Sequence, residues 1–116
     1  MYKVTVLYGH PQDPDEFERY YFENHLPLAA KLKDVKGFTA GKVVSLNPNQ
    51  SSPYYRMGSL YFDSPEAFES IFASPEGRAV VADLQNFATG GVSLVGNEEQ
   101  VFVPLTLSQV REIYQS

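Results

Sequence analysis

The sequence predicts an α+β fold in which strand, helix, strand, strand, helix and strand follow one another in a single domain over residues 1–116. Three observations predict it. Residues 2–8 alternate, with Tyr2, Val4, Val6 and Tyr8 on one side and Lys3, Thr5 and Leu7 on the other, the period of a strand. Asp13-Pro14-Asp15-Glu16 and Ser64-Pro65-Glu66 each set a capping side chain before proline at the first helical position, which starts a helix. Between these two starts lies Tyr54 to Phe62, a tyrosine-rich run that reads as a strand.

After the first strand, Gly9 to Gln12 turns the chain. Glu16 stands where it can reach back to the cap as in a capping box, and the helix is expected to run to about Lys33. Pro27 interrupts it. Proline has no N–H to donate and its ring clashes with the carbonyl of Glu23, so a kink is expected, with Leu26 pushed out of helical geometry. Asp34 to Phe38 reads as a turn around Gly37, and Thr39 to Leu46 as the second strand. Asn47 to Pro53 is polar with two prolines and reads as a loop before the third strand.

The second helical region opens at Ser64-Pro65-Glu66, and Ser74-Pro75-Glu76 repeats the same start ten residues on, so a break is expected near Ala73. It resumes through Arg78 to about Phe87 and ends at Gly90-Gly91. Val92 to Val95 and Gln100 to Val103 read as strand around Gly96-Asn97-Glu98-Glu99, stopped by Pro104. Leu107, Val110, Ile113 and Tyr114 recur at helical spacing, for a short terminal helix that packs or frays. This order is the split βαβ pattern of a ferredoxin-like domain: a βαββαβ protomer with a four-stranded antiparallel sheet. Two helices on one face leave the other open. That open face is expected to carry large apolar residues, including several tyrosines, and a second copy covering it would give a homodimer.

The composition narrows the function classes. Net charge is −5 and the nine Lys and Arg are scattered, so no basic stripe awaits a nucleic acid. No stretch has the length of a membrane span. The absence of cysteine removes disulfides, thiolate nucleophiles and iron–sulfur ligation, and it suits a cytoplasmic location. With two histidines, no metal-ligand spacing and no phosphate loop, neither a metal nor a cofactor is expected.

The chemistry concentrates at His25. It shares the stripe Phe17, Tyr21, His25, Leu28, Leu32 on the first helix, so it points inward beside the proline break. A group that titrates near neutrality, walled by aromatics, suits general acid or base work; a packing histidine tied to a backbone carbonyl is the plain alternative. Asn24 either orients a ligand carbonyl or ends the helical segment. Tyrosines 8, 20, 21, 54, 55 and 61 supply walls, with one or two donating to a ligand. Asp83 and Asn86 read as ordinary surface positions, with structural hydrogen bonding to a neighbouring loop as the alternative, and His10 with Asp13 and Asp15 as turn and cap chemistry.

Several segments taken together resemble the EthD family, named for ethyl tert-butyl ether degradation, within the dimeric α+β barrel group. They are Asp13-Pro14-x-x-Phe17; Tyr21-x-x-x-His25-x-Pro27-Leu28; Gly37-Phe38; Phe62-Asp63-Ser64-Pro65-Glu66-Ala67-Phe68; Ser74-Pro75-Glu76-Gly77; and Asp83 with Asn86-Phe87. The resemblance implies a protomer that pairs through its sheet into a dimeric barrel, with a pocket between sheet and helices that the histidine faces. Carried over by position, His25 is the catalytic candidate and Tyr21 its pocket neighbour; apart from that carry-over, Asn24, Phe38 and Tyr61 are further candidates to contact a substrate. Some relatives carry a tyrosine where this chain has Phe38, so that hydroxyl is missing here.

The functional expectation is a cofactor-independent enzyme of oxidoreductase, isomerase or cyclase type, acting on an apolar oxygenated compound with His25 as acid or base. The alternatives are a non-catalytic ligand-binding or accessory dimer of a degradation pathway, and a structural dimer with a closed core.

Overall fold

The computed structural model describes residues 1–102 and 105–115. Four strands form one antiparallel sheet: β1 (Tyr2–Gly9), β2 (Gly37–Lys42), β3 (Tyr54–Phe62) and β4 (Val92–Glu98), in the order β2-β3-β1-β4. This is the α+β, ferredoxin-like arrangement that the element order implies. In β1 the predicted alternation holds. Tyr2, Val4, Val6 and Tyr8 lie under the helices with Phe62, Leu60, Gly58 and Arg56 opposite them on β3. Phe62 and Val4 are almost wholly buried, packed by Phe68 and Phe72 from the second helical region.

The first helical region differs from expectation in an informative way. It comprises α1 (Pro14–Tyr20), a π turn over Tyr21–His25, and α2 (Leu26–Ala29). Asp13 caps α1, accepting from the Glu16 N–H at 3.2 Å, but the Glu16 carboxylate pairs with Arg19 and does not reach back. Leu26 keeps helical angles (φ −61, ψ −37), so Pro27 does not push it out. The strain is absorbed upstream. The Leu26 N–H bonds to the Tyr21 carbonyl five residues back, and this wider turn carries the chain past the missing Pro27 donor without a sharp break.

The helix also ends sooner, at Ala29 rather than Lys33. Two short bonds, Lys31 N–H to the Leu28 carbonyl and Leu32 N–H to that of Ala29, tighten the exit, and Asp34 takes the left-handed conformation (φ 65). The turn therefore centres on Asp34, and Gly37 instead opens β2. That strand begins earlier and stops at Lys42, because beyond the Val43 bond to Tyr55 the chain folds into local turns around Ser45 and Asn47. A register shift between Tyr8 and Gly9 leaves Tyr55 as an extra residue on β3, and both Tyr55 and Arg56 then reach rings of α1 and the π turn.

The second helical region breaks where predicted. α3 (Pro65–Ala73) and α4 (Pro75–Asp83) share Ser74, whose N–H closes α3 on Ile71 at 3.2 Å while its hydroxyl accepts from the Gly77 N–H at 3.1 Å. A Cβ at Gly77 would overlap the Ile71 carbonyl and stand 2.5 Å from the Phe72 Cα, both backbone atoms that cannot swing away. Gly77→Ala is expected to cost about 2 kcal/mol or more in urea denaturation, although alanine is the better helix former.

β4 runs through Gly96 and Asn97, where the sequence pattern predicts an interruption; glycine there leaves room for the Tyr2 ring. Residues 100–102 have no regular structure, and Val103 and Pro104 lie outside the described residues. The terminal segment does form a helix, α5 (Leu107–Gln115). The open sheet face carries Leu7, Met57 and Val95 with Thr5, Ser59 and Ser93. Of the tyrosines on β1 and β3, Tyr61 and, opposite Gly9, Tyr54 have that position in the register, since Tyr2 and Tyr8 pack on the helical side and Tyr55 reaches Phe17.

Candidate functional site

The π turn places the rings of Tyr21 and His25 one above the other, 5.9 Å apart and 23° from parallel. Phe87, just beyond the turn Leu84–Asn86 that follows α4, packs against the imidazole at 4.6 Å. Both Tyr21 and His25 are buried, as the stripe on the helix predicted.

The structure adds a partner. Asp83, the last residue of α4, is only 7% exposed and its Oδ2 lies 3.0 Å from His25 Nδ1. Its Oδ1 accepts from the Tyr20 hydroxyl at 2.6 Å and from Asn86 Nδ2 at 3.0 Å. Asp83, read from sequence as a surface position, is thus buried and faces the histidine, whereas Asn86 is exposed as read and donates to that carboxylate. Burial alone would raise the Asp83 carboxyl, but the three donors Tyr20, Asn86 and His25 outweigh it and hold the group below its usual range.

An ionised carboxylate only accepts, so Nδ1 carries the proton and Nε2 presents a lone pair. Burial pushes the His25 pKa down and the Asp83 hydrogen bond and charge oppose it; burial prevails, so the ring is neutral at pH 7. Nε2 has no hydrogen-bond partner among the described residues, yet no fully buried side-chain nitrogen or oxygen among them is unpartnered. Nε2 is therefore reachable by solvent-sized groups.

The His25 side chain borders a cavity of about 40 Å³ whose walls also include Tyr8, Tyr21, Phe38, Gly58 and Leu60. A groove of about 170 Å³ continues from it toward Ala30 and Val35, sharing Leu26, Ala29, Phe38 and Leu60. The lining is almost wholly apolar. The hydroxyls of Tyr8 and Tyr21 make no hydrogen bond to the described residues, and burial raises both pKa values, so they stay protonated as donors. Gly58 keeps the chamber open: a Cβ there would touch Phe38 Cε2 at 3.5 Å and Tyr21 Oη at 3.7 Å.

Of the residues singled out from sequence, His25, Tyr21 and Phe38 come together at this cavity. Asn24 is exposed and lines neither space, and Tyr61 lies in register with the open face of the sheet. Sequence reasoning missed Asp83, Gly58 and the buried Arg56, whose guanidinium pairs with Glu18 and lies 4.8 Å over the Tyr21 ring. His10, by contrast, pins the loop through the Ser52 carbonyl at 2.7 Å, and Asp13 is the cap. Among the described residues no three His, Asp or Glu side chains form a metal-binding set, and no helix is long and apolar enough to cross a membrane.

Comparison with known proteins gives a match to the family model described as "EthD domain" over residues 9–91. An uncharacterised 11.0 kDa protein of Rhodococcus erythropolis, from the thcB-thcC intergenic region, is 43% identical over 104 residues, covering 90% of this chain and all of that one. The crystal structure of an EthD family protein from Bacillus halodurans superposes with a TM-score of 0.79 at 30% identity, covering 86% of this chain and 99% of that one. A dimeric ferredoxin-like protein of unknown function from Thermobifida fusca shares the fold, with a TM-score of 0.64 at 14% identity over 84% of this chain and 90% of its own.

Proposed function

This chain belongs to the EthD family, and from that premise we propose that it is a cofactor-independent proton-transfer enzyme acting on an apolar oxygenated compound. One observation carries the reading: an imidazole fixed at Nδ1 by a buried carboxylate borders an apolar chamber, and its Nε2 has no partner among the described residues. His25 Nε2 takes a proton from carbon beside a carbonyl, and the C–H electron pair moves into the carbonyl to leave an enolate. The oxygen's growing negative charge is met by the hydroxyls of Tyr8 and Tyr21. Return of the proton from Nε2 to another carbon completes an isomerisation. Attack of the enolate carbon on a second carbonyl, with that proton going to the new alkoxide, closes a ring. A placed histidine of this kind is worth about 10²- to 10⁴-fold in rate.

The protein in D2O should place deuterium on the carbons flanking the carbonyl of methyl octyl ketone faster than buffer does, read by mass spectrometry. Ketones that bind but show no exchange above buffer would overturn the catalytic reading in favour of a ligand-binding accessory protein.

We also infer a homodimer joined through the open sheet face. Met57 is 42% and Val95 52% exposed there, and the Thermobifida fusca protein of the same fold is described as dimeric. Light scattering at micromolar concentration should give twice the chain mass, and Val95→Arg should halve it; a monomeric wild type would contradict this.

A further inference from the structure

We infer that the site selects a neutral, medium-length molecule with a narrow carbonyl head, a ketone, aldehyde or ester rather than a carboxylic acid. The inference rests on the proton-transfer reading and deepens it by naming the class of ligand.

The first argument is charge. No lysine or arginine lines either the chamber or the groove. Arg56 is close, 4.8 Å over the Tyr21 ring, but both Nε and a terminal nitrogen are held by the Glu18 carboxylate, which also draws Lys42 to 3.7 Å. Bonded to the imidazole at the head of the site is the anion of Asp83. A carboxylate entering the chamber would lose its water and meet no cation in the lining, the nearby Arg56 being already paired with Glu18, a penalty a ketone does not face. The polar atoms present match a carbonyl: two hydroxyl donors for its oxygen, and one lone pair, on Nε2, for the acidic C–H beside it.

The second argument is shape. A water-sized group needs roughly 10–15 Å³ of such space, so the 40 Å³ chamber takes about three heavy atoms, the carbonyl carbon, its oxygen and one neighbour. The 170 Å³ groove then takes on the order of a dozen more along Leu26, Ala29 and Val35. Phe38, which walls both spaces and is 43% exposed, covers the passage between head and tail.

The test compares methyl octyl ketone with decanoate at pH 8, by calorimetry and by the ¹⁵N signals of the His25 imidazole. The ketone should bind about a hundredfold more tightly and shift the Nε2 resonance. Gly58→Ala, whose methyl fits in ordinary contact and fills the head chamber, should weaken the ketone at least tenfold without lowering the melting temperature. Decanoate binding as tightly as the ketone, or ketone binding unaffected by Gly58→Ala, would overturn the inference. Selective ketone binding without deuterium exchange would leave the ligand class standing and overturn the reaction instead, while exchange from a ketone not preferred over decanoate would do the reverse.

Discussion

His25→Ala is expected to remove α-carbon exchange by about 10²- to 10⁴-fold with the fold retained, and Asp83→Asn to come close to it although Asp83 does not face the ligand. The second result is the more telling. Oδ1 of Asp83 already accepts from Tyr20 and Asn86, so an amide at this position keeps its oxygen there and turns its NH2 toward His25. A donor then faces Nδ1, the proton moves to Nε2, and the lone pair that serves as base is lost from the chamber. Flipping the amide would restore Nδ1 but set its NH2 against two donors. A merely structural Asp83 would lower the melting temperature and leave exchange intact.

The pH dependence follows from the same pair. Burial holds the His25 pKa below its ordinary 6.5, so the rate should rise as pH passes that lowered value and be level through neutrality. Asp83 supports the charged ring, so any residual activity in Asp83→Asn should have its acid limb at still lower pH. Stability has the same sign for both groups. Each has a folded pKa below its unfolded one, so its contribution is present at neutral pH and lost on acidification, beginning below 6.5 for His25 and below 3.8 for Asp83. In His25→Gln the upper of the two stages should vanish from an acid titration of unfolding free energy.

Much of this architecture is legible in the sequence because the signals are local. Cap-then-proline starts, the β1 alternation and the doubled Ser-Pro-Glu state their own conformations, and the stripe Phe17, Tyr21, His25 states which face turns inward. Pro27 was legible as a disturbance but not as a π turn, because how the backbone relieves a proline depends on what the neighbouring rings pack against. Asp83 was hidden by its type: an aspartate at a helix end looks like surface until its donors are known. One signal did exist. Val80, Asp83 and Phe87 recur at i, i+3 and i+7, the spacing of the buried face of α4 and its extension, and all three are buried. Arg56 and Gly58 gave none, since their roles depend on the β3 register and bulge set by pairing with β1.

Glu18→Ala should destabilise the fold by about 3 kcal/mol in urea denaturation, toward the lower end of what breaking a buried ion pair costs. Arg56 is 5% exposed under α1, and its charge is tolerated there because the Glu18 carboxylate takes two of its nitrogens. Remove the carboxylate and a buried cation is left, among the described residues, with the faces of Tyr21 and Phe22, at 4.8 and 5.3 Å, to attract it. The lower end applies because the Glu18 side chain is 25% exposed, so water already shares part of its work. The paired change Glu18→Leu with Arg56→Met should recover most of the loss, since an apolar pair of similar volume has no charge to desolvate; a double variant as unstable as the single one would show that shape, not charge, sets the cost. The same pair bears on the site through Tyr21. The guanidinium lies over that ring, and the ring's hydroxyl stands at Gly58, in the head chamber. An Arg56 released from Glu18 is therefore expected to disturb Tyr21 first, so ketone affinity in Glu18→Ala should fall even at temperatures where the variant is fully folded.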